Sequence, residues 1–253
     1  MAKSRSGLPS SISSTPSGPV SGAAPSIPQS AAETSTLTEL AQYMSNVGVS
    51  VDEASLSGQS FENVRDAAAH IERVIAEFPQ AQSTFNMLAG ETLKSGVLAC
   101  ASLGGNISLA NDYFSKTEDG LNQVYDKSVA SGFHPAGTAK GDIATHEAGH
   151  ILESALIKKA IPGNDYWDRL ERSKAWRKCT LATKVVSEAC RAVKKTPEGA
   201  GKTNDQLVRT VSGYAAKNRS EALAECVADY MANGQSAKPL SVAVWNILKR
   251  ELG

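Results

Sequence analysis

The sequence lacks the features that mark several large classes of protein. Lysine plus arginine and aspartate plus glutamate number 26 each, so the zero net charge gives no reason to predict binding to nucleic acid or to an anionic membrane. No apolar run approaches the roughly 20 residues of a transmembrane helix. The basic first residues are not followed by an apolar stretch, and we therefore expect synthesis in the cytoplasm without a signal peptide.

Cysteine and histidine are scarce as well, with four of each. The cysteines form no Cys-x-x-Cys pair, which argues against a cysteine-based zinc site and predicts reduced thiols at Cys100, Cys179, Cys190 and Cys226. Two of the four histidines nevertheless fall within one pentapeptide, which makes their spacing informative.

That pentapeptide, His146-Glu147-Ala148-Gly149-His150, is typical of zinc enzymes. Residues four apart share one face of a helix, so both imidazoles can reach a single metal ion. Glu147 lies close to that face and can take a proton from a water that the metal activates. The simpler alternative is an ordinary amphipathic helix with two partly buried histidines.

Composition and hydrophobic spacing predict a mainly helical α+β protein with a small sheet. Residues 1–35 are rich in Ser, Pro, Ala and Gly, which predicts a disordered arm. We expect a helical part over 36–90, including a helix from about 61 to 77 that ends before Pro79. Strands and the metal helix are expected over 91–160, a helical insertion over 161–213, and two last helices over 214–253.

Several local predictions follow from the same spacing. Short apolar runs at 97–101 and 107–110 flank Gly104-Gly105-Asn106 and indicate two strands joined by a turn. The metal helix is expected to begin at an Asp142 N-cap and to end at Ala160. Further helices are expected at 37–45, 205–211, 220–231 and 239–252. Four side chains are expected to have no metal role: Trp167 and Trp176 as packing residues, His70 on the surface, and His134 in a loop held by its own turn. In the alternative for His134, its side chain lines the cleft.

Two histidines leave a catalytic zinc site one protein ligand short. Downstream, Glu221, Glu225 and Asp229 recur every four residues, and three acids on one helix face repel each other unless positive charge compensates. One of these acids would bind the metal, and the next would accept a hydrogen bond from a ligand histidine. In the alternative, Asn218 and Glu221 form an N-terminal capping box and Asp229 is a solvated acid.

The order His146-Glu147-x-x-His150, then Tyr214-x6-Glu221-x3-Glu225, resembles the gluzincin zinc peptidases. The resemblance is in particular to the anthrax lethal factor type and to the metallopeptidase-like domains of phage minor head proteins. The likeness to the phage domains covers roughly residues 60–253. It includes three further segments: Gly132-Phe133-His134-Pro135-x-Gly137, Tyr214-Ala215-x-x-Asn218 and Ala228-Asp229-Tyr230.

This resemblance implies a zincin-like metallopeptidase domain that holds one zinc ion. The implied zinc ligands are His146, His150 and Glu221, with Glu225 supporting a ligand histidine from behind. Glu147 would act as general base, and Tyr214 would help to stabilise the oxyanion. In a competing register Glu225 is the ligand and Asp229 supports it.

The implied function is a zinc metalloendopeptidase that hydrolyses a protein or peptide substrate and is encoded by a phage or prophage. One alternative is a virion or head-assembly protein that keeps the fold with little or no turnover, its arm contacting capsid or portal proteins. Another is a different zinc hydrolase, such as a cell-wall amidase. We expect the strand near Ile107–Leu109 to hold the substrate extended. The long spacer between His150 and Glu221 departs from the family pattern and leaves substrate access open.

Overall fold

The structure, a computed structural model, describes residues 28–253 and shows a mainly helical α+β protein with a four-stranded sheet. The predicted α+β class is therefore confirmed. The strands are β1 (Ser50–Val51), β2 (Met87–Glu91), β3 (Ala99–Ala101) and β4 (Asn106–Ala110). The helices are α1 (Leu37–Asn46), α2 (Glu53–Leu56), α3 (Phe61–Glu77), α4 (Asn111–Phe114), α5 (Glu118–Ala130), α6 (Asp142–Ala160), α7 (Tyr166–Arg177), α8 (Thr180–Val193), α9 (Asn204–Val211), α10 (Arg219–Asn233) and α11 (Pro239–Leu252).

The sheet has the strand order β1-β2-β4-β3, with β1, β2 and β4 parallel and β3 antiparallel to β4. The predicted pair of strands is confirmed as β3 and β4. Their turn needs glycine at position 105, because φ is +94° and an added Cβ would lie 1.8 Å from the Thr84 carbonyl oxygen.

The expectation that Ile107–Leu109 holds a substrate is wrong, since β4 is paired on both sides. The edge strand beside β4 is β3, and β1 is the edge strand on the other side of the sheet. On either side of β3, the Leu98 carbonyl oxygen accepts a hydrogen bond from the Ala110 N–H. The Ser102 N–H donates one to the Asn106 carbonyl oxygen. Because hydrogen bonding alternates along an antiparallel pair, the backbone groups of Ala99 and Ala101 face away from β4.

The N-terminal part differs from its prediction in two ways. Of the predicted disordered arm, residues 1–27 lie outside the described residues, while residues 30–35 include a short 3-10 helix and the fully buried side chains of Ala31 and Thr34. Disorder is therefore the wrong expectation for residues 30–35. Strand β1 and all but the last residue of β2 also lie within residues 36–90, for which helix is the prediction.

Helix α6 has the predicted bounds and lies at the centre of the molecule. Fifteen of its nineteen residues are buried, so it is a core helix and not the ordinary amphipathic helix of the simpler alternative. Its N-cap position is occupied by Gly141, so the assignment of that position to Asp142 is wrong. Asp142 is instead the first helical residue, and its carboxylate accepts a hydrogen bond from the Ala139 N–H.

The predicted insertion folds as α7, α8 and α9. Helix α8 buries one face, whereas α7 has no buried residue. Trp167 is 67% exposed, so its prediction as a packing residue is wrong, while the Trp176 ring centroid lies 6.3 Å from that of His150. Within residues 28–253, none of the helices has the length and apolar character needed to cross a bilayer.

Candidate metal centre

Helices α6 and α10 cross closely enough to bring the predicted ligands together. The approach occurs at Gly149, where an added Cβ would lie 2.8 Å from the Ala224 Cα and 3.3 Å from the Val227 Cβ. A side chain at position 149 would hold the helices apart. With glycine there, Glu221 at the start of α10 reaches both ligand histidines on α6.

The geometry of His146, His150 and Glu221, here called the metal group, suits a metal ion. The Nε2 atoms of His146 and His150 each lie 3.2 Å from Glu221 Oε2, and one ligand atom from each residue falls within 4.8 Å of the others. Ligand atoms at zinc distances of 2.0–2.2 Å around a tetrahedral ion lie about 3.3 Å apart. The three residues could therefore bind one ion without moving far.

Glu221 faces the histidines and also occupies a capped helix N-terminus. Its backbone N–H donates to Asn218 Oδ1 at 3.0 Å, so the predicted capping by Asn218 is present. The Glu221 carboxylate takes no part in that cap and points to His146 and His150. Burial favours its neutral form, but the contacts with His146 and His150 outweigh burial and hold the pKa of Glu221 well below its usual range.

Glu225 lies one turn further along α10 and contacts the other ring nitrogen of His146. The distance from Glu225 Oε1 to His146 Nδ1 is 2.8 Å, although Nδ1 has no well-aligned hydrogen bond, so this contact is mainly electrostatic. Ser212 Oγ donates to Glu225 Oε2 at 2.6 Å. Burial raises the pKa of Glu225, but contacts with His134 and His146 outweigh it and lower the pKa to about 2.

Asp229 takes no part in this arrangement. Its carboxylate accepts hydrogen bonds from the Lys238 N–H and from Asn233 Nδ2. The geometry thus matches the register in which Glu221 faces the metal and Glu225 supports a histidine, and it leaves Asp229 away from the metal group.

The surface prediction for His70 is wrong, while His134 lies in a loop and lines the cavity beside His146. His134 is held by more than its own turn: its Nδ1 lies 3.0 Å from Glu225 Oε1, and its ring stacks on Tyr125 at a centroid distance of 5.0 Å. His70 is mostly buried rather than on the surface, with its Nδ1 3.0 Å from the Thr145 hydroxyl. Thr145 immediately precedes His146, so His70 packs against the start of the metal helix.

A cavity of about 350 Å³ adjoins the metal group on the His146 side. Glu147 and Tyr214 both line it, together with apolar residues that include Val97, Leu98, Val124, Phe133 and Ile143. The Tyr214 ring centroid lies 5.5 Å from that of His146, and its hydroxyl accepts a hydrogen bond from Lys217 Nζ at 3.2 Å. Burial raises the pKa of Tyr214.

Glu147 is a buried acid at the wall of this cavity. Burial raises the pKa of Glu147, while His146, His150 and a backbone hydrogen bond from Ala101 partly offset that rise. The Ala101 N–H comes from the free edge of β3. A carboxylate in this environment retains its proton more readily than an exposed one, which suits a group that must accept and release a proton near neutral pH.

Sequence reasoning missed the surroundings of His150. Its Nδ1 lies 2.9 Å from Ser220 Oγ, and that hydroxyl donates to the carboxylate of Glu153. Glu153 is fully buried. One signal was available, because Glu153 stands seven residues after His146 and three after His150, which places all three on one helix face.

Compared with known proteins, the chain matches no protein-family model, no curated protein and no solved structure. The case for metal chemistry therefore rests on the positions and the chemistry of these side chains.

Proposed function

We propose that the protein is a zinc-dependent metalloendopeptidase, the function expected of a gluzincin. The observation that carries this proposal is the meeting of His146, His150 and Glu221 beside a cavity whose wall includes Glu147. Two imidazoles and one carboxylate form a donor set that zinc uses at catalytic sites, and three protein ligands leave a coordination position for water or substrate. A zinc ion held by these three residues would lower the pKa of its bound water towards about 7 and polarise a substrate carbonyl.

Glu147 supplies the proton transfer in this proposal. Its carboxylate accepts a proton from the attacking water and passes it to the leaving amine as the peptide bond breaks. The burial that raises its pKa strengthens it as a base.

Tyr214 supplies a hydrogen bond to the carbonyl oxygen as negative charge develops on it. Lys217 Nζ donates to the Tyr214 oxygen, which leaves the phenolic hydrogen free to donate elsewhere. Lys217 Nζ also lies 3.4 Å from Glu221 Oε1, so this lysine adds positive charge at the rim of the cavity.

The free edge of β3 offers a binding site for an extended peptide. Ala99 lines the cavity, and its N–H and C=O face away from β4. Backbone pairing at this edge would bind a substrate with little dependence on its side chains. β3 thus takes the role that the sequence assigned to Ile107–Leu109.

The test compares purified wild-type protein with Glu147→Gln for zinc content and for cleavage of a diverse peptide library. We expect stoichiometric zinc in both and cleavage only by the wild type, because the amide of the variant cannot accept the proton. Glu198→Gln, at an exposed loop carboxylate, is the matched control and should cleave like the wild type.

Other outcomes would favour the competing functions. Zinc without any wild-type cleavage would contradict the peptidase and favour a virion or head-assembly protein, whose capsid or portal partners stay a prediction. Cleavage of cell-wall material in place of peptides would favour an amidase. Protein without zinc would contradict the proposed cofactor.

A further inference from the structure

We propose that Ser220 and Glu153 position His150 for metal binding, and that the N-terminus of α8 in the insertion anchors this pair. The inference rests on the proposed function in one respect, since it takes the metal group to be a metal site. It assigns a role to Ser220, to Glu153 and to the insertion, none of which has a role in the peptidase proposal.

The polarity of the hydrogen bonds fixes the ring form of His150. Ser220 Oγ donates its single hydrogen to Glu153 Oε2. The same oxygen, 2.9 Å from His150 Nδ1, must then accept from an Nδ1–H. With the ring proton on Nδ1, the Nε2 lone pair is free and faces Glu221 at the metal group.

Glu153 needs support, because a fully buried carboxylate is costly unless it is hydrogen-bonded. Burial raises the pKa of Glu153, and the contacts with Ser220, His150 and Ala182 oppose that rise. The Ala182 N–H donates to Glu153 Oε1 at 3.4 Å. Three helices, α6, α8 and α10, therefore meet at one side chain.

The contact with Ala182 serves α8 as well. The first backbone N–H groups of a helix have no partner within the helix, and a preceding side chain usually caps one of them. Cys179 occupies the N-cap position of α8 with φ +50° and makes no capping hydrogen bond. Glu153 replaces that cap, and the positive end of the α8 dipole faces its carboxylate.

The arrangement gives the long spacer between His150 and Glu221 a physical role. It carries the helix whose N-terminus holds Glu153 in place behind the ligand. Ser220 and Glu153 act through His150 and are therefore positioning residues. Substituting them is expected to change metal affinity and the His150 tautomer more than the fold.

The first experiment measures zinc dissociation constants by chelator competition for Ser220→Ala and Ser220→Thr. We expect Ser220→Ala to bind zinc about 10–100-fold more weakly, as for other residues that orient metal ligands, and Ser220→Thr to stay near wild type because it keeps the hydroxyl. Ser154→Ala is the matched control, since Ser154 is a buried α6 serine that donates only to the Leu103 carbonyl. Equal zinc affinity of Ser220→Ala and Ser154→Ala would overturn the proposal.

The second experiment needs no metal and no activity. Nitrogen-15 NMR of metal-free wild-type protein should show the His150 proton on Nδ1, and Glu153→Gln should lower the population of that tautomer, because an amide can donate to Ser220 in place of accepting from it. A proton on Nε2 in the wild type would overturn the proposal even if Ser220→Ala fails to fold. Absence of peptide cleavage with these results intact would refute the peptidase alone.

Discussion

His146 and His150 lie on one helix, yet the Nδ1 atoms of their rings meet different groups. On the cavity side, His146 Nδ1 faces the carboxylate of Glu225 directly at 2.8 Å. On the insertion side, His150 Nδ1 faces the hydroxyl of Ser220, and the carboxylate of Glu153 lies behind it. His146 thus contacts a carboxylate directly, whereas a neutral hydroxyl lies between His150 and its carboxylate.

The cavity side and the insertion side of the metal group have different proposed roles. The cavity side carries Glu147 and Tyr214, the residues proposed to act on substrate, so a charge fixed there adds to the field in which the reaction would occur. The insertion side carries no residue proposed to touch substrate, and its contacts serve to hold one ring. Substitutions can measure how unequal the two sides are.

The largest effect is expected for Glu221→Ala, which removes the acid shared by both sides. Because Glu221 Oε2 lies between the two Nε2 atoms, its loss should weaken zinc binding by more than the roughly 10–100-fold typical of supporting residues. Titration calorimetry of the metal-free protein measures it, with the exposed Glu198→Ala as control. Unchanged affinity would remove Glu221 from the metal group.

Tyr214→Phe tests the cavity side alone. Loss of one hydrogen-bond donor to a developing oxyanion lowers kcat by roughly 100- to 1,000-fold, while zinc affinity and KM should change little. Steady-state peptide cleavage measures the effect. Tyr230→Phe is the control, since its hydroxyl contacts only Gln235 among the described hydrogen bonds. A kcat within about threefold of wild type would leave Tyr214 as a packing residue.

Glu225→Gln compares the supports of the two histidines. We expect a loss in zinc affinity of about 10–100-fold, and a larger loss than for Ser220→Ala because the Glu225 charge contacts the ring directly. Asp229→Asn is the matched control, a buried acid one turn further on the same helix that touches neither histidine. If Asp229→Asn were the more damaging change, the competing register would hold.

The smallest effect is expected for Trp167→Ala in the insertion. At 67% exposure the side chain buries little surface, so the free energy of unfolding should change by less than about 0.5 kcal/mol. Trp245→Ala is the contrast, with a 4% exposed ring packed on Phe78 and Tyr230 and an expected loss of about 3–5 kcal/mol. Chemical denaturation measures both. A large loss at Trp167 would mean that α7 does more for stability than its exposure suggests.

Features set by local spacing could be predicted from the sequence. The end of α6 and the beginning of α11 follow from Pro162, Gly163 and Pro239, which act locally to end or begin a helix. The spacing of His146 and His150 on one helix face is equally local. The spacing of the acids alone left Glu221 and Glu225 as alternatives, and Glu221 was favoured only through the resemblance to the gluzincin peptidases.

What sequence reasoning missed depends on contacts between distant residues. β2 contains Ala89, Gly90 and Glu91, which have little preference for a strand, and it forms through pairing with β1 and β4. His134 meets Glu225 across 91 positions, and Ser220 meets Glu153 across 67. No periodic pattern links residues so far apart, so their partners become visible only in the fold.

The crossing at Gly149 has a consequence for which metals the protein could accept. The distance between the α6 and α10 backbones sets how far the two imidazoles lie from the Glu221 carboxylate, and so the size of the space between them. At Gly149 an added Cβ would meet the Ala224 Cα and the side chains of Ala224 and Val227, so a larger residue there would increase that distance. In the proposed metal site, the size of the ion would therefore depend partly on a residue that has no donor atom to offer it.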